Sequence, residues 1–114
     1  STHGAPHATV RMRVDGIEQE ASGSGDGLVD ACYKLIAQLT GHSPTLERYA
    51  VKAITGGTDA LGEVSCVISA DGLTVSGHGA HTDTIQASAR AFVSALNNLE
   101  YRRAYLHTSQ GTVP

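Results

Sequence analysis

Ser22–Ile36 reads SGSGDGLVDACYKLI, and Val75–Leu99 reads VSGHGAHTDTIQASARAFVSALNNL. Both stretches carry Ser-Gly-x-Gly, at Ser22 and at Ser76, and run into apolar residues at helical spacing. In the first, Leu28, Cys32, Leu35, Ile36 and Leu39 share one face of a helix. In the second, Ile85, Ala89, Phe92, Val93 and Leu96 do the same, and that helix is expected to reach about Leu106. Asp26 is placed to cap the first helix, because its carboxylate can accept a bond from a first-turn amide. Gly41 suits the C-terminal turn, and Pro44 blocks continuation.

Outward from each glycine stretch lies a hairpin. Ala8 to Val14 alternates Val10, Met12 and Val14 against Arg11 and Arg13, which is strand periodicity. Asp15-Gly16 turns it into a second strand, Ile17 to Ser22. Further on, Leu46 to Thr55 reads as a third strand, Gly56 to Asp59 as a turn, and Gly62 to Ser69 as a fourth strand. Asp71-Gly72 then turns into a fifth strand, Leu73 to Ser76. Gly23–Gly27 and Gly77–Gly79 are expected as glycine loops between strand and helix. Both halves therefore run strand, Asp-Gly, strand, Ser-Gly-x-Gly, helix, which points to an internal duplication. The expected fold is α+β: internally duplicated ββα-type units, an antiparallel sheet with two helices packed on one face. Residues 1–7 are expected as a linker or tail, 8–106 as the folded domain (repeats about 8–41 and 46–106), and 107–114 as a flexible tail.

The chain has 114 residues, enough for one domain and too few for a (β/α)₈ barrel of roughly 250 residues. Eight Lys+Arg against eleven Asp+Glu leave a formal charge of −3. No basic excess exists to drive nucleic-acid or acidic-membrane binding. One Phe and no Trp argue against a base-stacking platform. No apolar run approaches the length of a membrane span, and Ser1–His7 lacks the features of a signal peptide. Cys32 and Cys66 have no metal-ligand spacing and read as buried thiols in a reducing, cytoplasmic setting.

Glycines before a helix have two readings. One is steric: a strand turning sharply into a helix needs close backbone approach. The other is that free amides at a helix N-terminus hold an anion such as a carboxylate. Dinucleotide binding is disfavoured, because Gly23, Gly25 and Gly27 miss the Gly-x-Gly-x-x-Gly spacing and hairpins replace the parallel crossover. His78, His81 and Asp83 could form half of a metal site, but no third histidine has compatible spacing, so no metal site is expected. Cys32 lies on the apolar stripe, which argues against a nucleophile, and no catalytic residue is expected.

Together with LERYAVKAITGGTDALGEVSCVI at Leu46–Ile68, these stretches resemble the C-terminal regulatory domain shared by 2-isopropylmalate synthase and citramalate synthase. The likeness covers roughly Ala8 to Arg103. One departure is Leu28, where many relatives carry Pro. The resemblance implies a non-catalytic domain that forms a homodimer and binds the end-product amino acid near the dimer interface. Leucine would be the effector in the first case and isoleucine in the second. It implies a catalytic barrel as partner, using a divalent metal and acetyl-CoA, absent from this chain; the domain itself would need no cofactor. A dimerisation module with no effector is the remaining alternative.

A free amino acid needs three complements. The amides of Gly25, Asp26, Gly27 and Leu28 suit its carboxylate. Asp26 or Asp30, or nearby carbonyls, could face its ammonium. Leu46, Tyr49 and Ala53 resemble the family's apolar pocket wall, and Val29 could add to it. Their i, i+3, i+7 spacing leaves one face of a regular strand, so a bulge or bend is required.

Overall fold

The Asp-Gly pairs form the tight turns their composition demands. Asp15 and Gly16 have φ of 51° and 81°, and Asp71 and Gly72 have 52° and 79°. Two successive positive φ values give a turn whose twist matches the flanking strands, and Asp followed by Gly accommodates them at low cost. The computed structural model describes residues 4–54, 56, 57 and 60–112, with side chains through 107. The expected turn at Thr58-Asp59 and the extreme ends of the chain lie outside the described residues.

The chain divides into two compact units, one ending at Pro44 and the next beginning at Thr45. In the first, β1 (His7–Val14) and β2 (Ile17–Ser24) form an antiparallel pair, and α1 (Leu28–Thr40) lies on both strands. Its core is Ala31, Cys32, Leu35 and Ile36, all from α1. Leu28, expected on the buried stripe, is 45% exposed: it stands at the first turn, ahead of the part of the helix that the hairpin covers. Gly41 takes φ 73° and ends α1, donating to Gln38, while His42 N–H donates to the Ala37 carbonyl at 3.0 Å.

In the second unit, β3 (Thr45–Ala53), β4 (Gly62–Ala70) and β5 (Leu73–His81) form an antiparallel sheet in that order. The helix α2 (Thr84–Thr112) lies on β4 and β5. The buried set is Val64, Cys66, Ile68 and Val75 from the sheet and Ala87, Ser88, Ala91, Phe92, Ala95, Leu96 and Leu99 from the helix. The fold is thus α+β and built from ββα-like units, the second with one additional strand. The strands make two sheets rather than one, each with its own helix, because pairing stays between sequence neighbours.

Three expectations need correction. Gly23, Gly77 and Gly79, expected in loops, belong to strands, because β2 runs through Ser24 and β5 through His81, while Gly25 and Gly27 lie between strand and helix as expected. A Cβ on Gly79 would sit 2.6 Å from Ala91 N, and one on Gly77 would sit 2.7 Å from Ala95 Cβ. These glycines let β5 lie directly against α2, and alanines on the helix complete the close approach. For that reason the buried face of α2 is centred on Ala87, Ala91 and Ala95, and Ile85, Ala89 and Val93 are only half-buried. Finally, α2 continues to Thr112, past the expected end near Leu106. Residues of good helix propensity such as Arg103, Ala104 and Leu106 carry it, and no proline interrupts before Pro114.

Candidate functional site

The N-terminus of α1 is built by Gly25, Asp26 and Gly27. Gly25 is required sterically, since a Cβ there would lie 2.6 Å from Ala31 N. Its amide donates to the Pro6 carbonyl at 3.2 Å. The Asp26 amide donates to Asp30 Oδ2 at 2.9 Å. Those two N–H groups, expected to be open, are therefore closed by the protein itself. Asp26 also does not cap the helix. The capping position is Gly27, with φ −154° and ψ 174°, and no side chain caps α1 there. Asp26 stands one residue too early, and its side chain is left exposed.

Beyond Gly27 the amides change status. The first helical bond runs from Ala31 N to the Gly27 carbonyl at 2.9 Å. The amides of Leu28, Val29 and Asp30 lie ahead of it and have no acceptor within the helix. A Cβ on Gly27 would meet nothing within 4 Å, so no packing demand explains this glycine. The second unit answers the same position differently. Counting from the first helical residue, Gly27 corresponds to Asp83, and Asp83 Oδ1 accepts from Ile85 N at 2.7 Å and Gln86 N at 3.4 Å. One helix of the duplicated pair is capped by its own carboxylate, and the other presents bare amides at its positive end.

Asp30 has a role of its own. Its carboxyl is held below the ordinary value, first by the Asp26 amide and then by Lys34, whose ammonium lies 3.1 Å away. It is a reach-back cap of the first turn, with the Asp26 amide and the Lys34 ammonium both on Oδ2. Asp26 is the remaining exposed carboxylate at this end of α1. Val29 is half-buried beside it in sequence.

The second group lies on β3. The register slips between Leu46 and Arg48, so that Leu46 pairs with Ile68 and Tyr49 with Cys66, while Ala53 pairs with Gly62. Gly62, Cys66 and Ile68 have one parity on β4, so Leu46, Tyr49 and Ala53 share one face. The bulge that their spacing required is present. Val51, opposite Val64, falls on the same face and is 50% exposed. Sequence reasoning passed over Val51, although strict alternation from Tyr49 to Ala53 points to it. The Tyr49 hydroxyl is turned inward, 2.6 Å from Ser88 Oγ, and its ring lies 6.1 Å from that of Phe92.

Thus Gly25–Asp30 belong to the first unit and Leu46, Tyr49 and Ala53 to the second. None of them lines the groove of about 400 Å³ between β5 and the later part of α2, or that of about 310 Å³ beside Tyr33 and Pro44. The histidine cluster is otherwise engaged. His81 Nδ1 accepts from Asp83 N at 2.9 Å, and His78 Nδ1 lies 3.2 Å from Ser65 Oγ. Among the described residues no three His, Cys, Asp or Glu side chains come together as a metal site.

A family model described as the LeuA allosteric (dimerisation) domain matches residues 1–100. The chain is similar to curated proteins named 2-isopropylmalate synthase. That of Hydrogenovibrio crunogenus is 46% identical over 98 residues, covering 86% of this chain and 19% of the relative. That of Syntrophus aciditrophicus is 49% identical over 96 residues, covering 84% and 19%. That of Gloeobacter violaceus is 44% identical over 111 residues, covering 96% and 21%. The chain spans about a fifth of the length of these relatives.

Proposed function

The chain belongs to the LeuA allosteric (dimerisation) domain family, and from that premise we propose that it senses leucine as the feedback-regulatory part of a 2-isopropylmalate synthase. The observation that carries the proposal is the uncapped N-terminus of α1 at Gly27, set against the Asp83-capped N-terminus of α2. A helix whose N-cap residue carries no side chain to cap the amides that follow it is suited to a carboxylate brought by a ligand. The amides of Leu28, Val29 and Asp30 take the effector carboxylate, and Asp26 faces its ammonium. Within the second unit, the family resemblance assigns an apolar wall for a branched side chain to Leu46, Tyr49 and Ala53, and Val51 shares their face.

In this reading the domain acts as a homodimer and performs no chemistry. Catalysis belongs to a separate barrel in the four-fifths of the relatives' length that this chain does not span. That barrel would join acetyl-CoA to 2-oxoisovalerate with a divalent metal, and the regulatory domain would need no cofactor. Leucine binding near the dimer interface would favour one dimer geometry, and a coupling of about 1–3 kcal/mol gives strong feedback. Two cysteines, each buried in the core of its own unit and neither in a disulfide, support a reducing cytoplasmic setting. Among the described residues no helix is long and apolar enough to cross a membrane.

Calorimetry with leucine, isoleucine and valine tests the proposal, alongside the variant Gly27→Asp. The new carboxylate reproduces Asp83 and fills the anion position. It is expected to stabilise α1 by roughly 0.3 kcal/mol as a cap while leucine affinity falls at least about tenfold. Larger heat with isoleucine would move the assignment to citramalate synthase. Absence of heat with all three, in a folded dimer, removes the sensor reading and leaves the dimerisation module.

A further inference from the structure

Ser88 is the one buried polar side chain among the described residues, with no accessible surface. The duplication makes it conspicuous. It is the fifth residue of α2, and the fifth residue of α1 is Cys32, a small thiol in an otherwise apolar core. The fold does not need a hydroxyl at this position. A buried hydroxyl is costly unless bonded, and Ser88 donates its single proton to the Thr84 carbonyl one turn back, at 2.8 Å. That bond satisfies Ser88 and leaves its lone pairs open. Tyr49 is the neighbour that uses them. With the Ser88 proton committed, the Tyr49 hydroxyl is the donor in the 2.6 Å contact between them.

The consequence is directional. Tyr49 is 36% exposed, yet its polar end is turned in toward α2. What it offers outward beside Val51 and Ala53 is ring hydrocarbon. Phe92, whose ring is tilted 40° to that of Tyr49, supports the ring from the core without bonding the hydroxyl. We propose that Ser88 is a positioning residue that makes the β3 wall selective for an aliphatic effector, by holding the Tyr49 hydroxyl against α2 so that only the ring faces the ligand. The same bond ties occupation of the wall to α2. This inference rests on the reading that Tyr49 belongs to the effector wall.

The test uses Ser88→Ala, Tyr49→Phe and the double variant, titrated with leucine and with asparagine, which has leucine's branched outline but a polar end. In Ser88→Ala the Tyr49 hydroxyl has lost its acceptor and turns outward to find water. Leucine affinity is then expected to fall about tenfold, and the preference for leucine over asparagine to narrow. Tyr49→Phe has no hydroxyl to satisfy and keeps the ring on Phe92, so it serves as the background in which Ser88→Ala is read, whatever its own affinity. In that background Ser88→Ala adds nothing further. A merely structural Ser88 would weaken binding in both backgrounds, and failure of Tyr49→Phe to rescue overturns the inference.

Ring resonances of Tyr49 provide a readout that needs no ligand. A single rotamer in the parent that becomes averaged in Ser88→Ala supports the positioning role. Identical ring signals in the two proteins overturn it. If the parent chain binds no branched-chain amino acid, the effector reading fails. The ring signals then decide the Ser88–Tyr49 link alone, and its selective role is overturned with the effector.

Discussion

Glycines of similar sequence context do different things at the residue scale. Gly77 and Gly79 exist because α2 leaves no room for a side chain, whereas Gly27 meets nothing within 4 Å. Gly79→Ala is therefore expected to lose about 2–4 kcal/mol, since Ala91 backbone cannot yield as a side chain tip would. Gly27→Ala should change stability by less than about 1 kcal/mol. Thermal melts of the two variants compare them directly, and equal shifts would refute the distinction. The sequence showed both glycine sets and both of their physical meanings, but not which meaning belonged to which. That depends on how near the helix backbone comes, a distance with no signature in residue type.

Asp30 carries a pH dependence at the same scale. Its folded carboxyl titrates below the ordinary value because the Asp26 amide and Lys34 hold the charged form. A depressed folded value means that its stabilisation is fully present above the unfolded value, about 3.9, and is lost as pH falls through the folded one. Circular dichroism melts across the acid range should show this loss in the parent chain below about pH 4. Asp30→Asn keeps an oxygen for the Asp26 amide but not the charge, so its melting temperature should depend less on pH there. An unchanged acid profile would count against this account.

At the scale of elements, the free edge of β5 is closed by its own helix. Arg90, Ser94 and Asn98 stand one turn apart on α2. Arg90 donates to the Ala80 carbonyl at 3.0 Å, Ser94 Oγ accepts from His78 N at 3.4 Å, and Asn98 donates to the Ser76 carbonyl at 2.7 Å. Exposed strand edges invite pairing with other chains, and this stripe satisfies alternate backbone groups that would otherwise template it. Asn98→Ala should cost about 1 kcal/mol and raise concentration-dependent association, read by sedimentation at several protein concentrations. No change in association would show that the stripe has no protective role. Helical spacing marked both helices, and alternation with Asp-Gly marked four of the strands. The face of α2 was read correctly at Phe92 and Leu96 and misplaced at Ile85, Ala89 and Val93, because size and hydropathy favoured Ile85 and Val93 while the close approach of Gly77 and Gly79 selected alanines.

At the scale of the whole molecule, the two units have unequal cores. The first buries four apolar side chains, Ala31, Cys32, Leu35 and Ile36, beneath a two-stranded sheet. The second buries ten, from Val64 to Leu99, with three strands and a long helix. A two-stranded hairpin depends on its helix for stability, and a unit ending at Pro44 is close to the roughly 40-residue size below which a domain rarely stands alone. A fragment beginning at Thr45 is therefore expected to keep cooperative unfolding, and a fragment ending at Pro44 to lose it, as followed by circular dichroism during heating. Cooperative melting of the shorter fragment would contradict this ranking.

The amino-acid sequence by itself determined the local chemistry of this protein: two I′ turns, two amphipathic helices and a repeated order of elements, while the bulge in β3 was implied only by the family resemblance that puts Leu46, Tyr49 and Ala53 on one wall. The turns, the helices and their repeated order follow from interactions a few residues long, where propensity and periodicity act directly. Only the tertiary structure decided that the sheet is in two pieces, that Gly25 and Asp26 amides are closed while those beyond Gly27 are bare, and that Tyr49 turns its hydroxyl to Ser88. Those outcomes are set by which groups meet across 39 residues of chain or across a helix–strand contact, and a hydrogen-bonding side chain takes whichever partner the packing brings within reach.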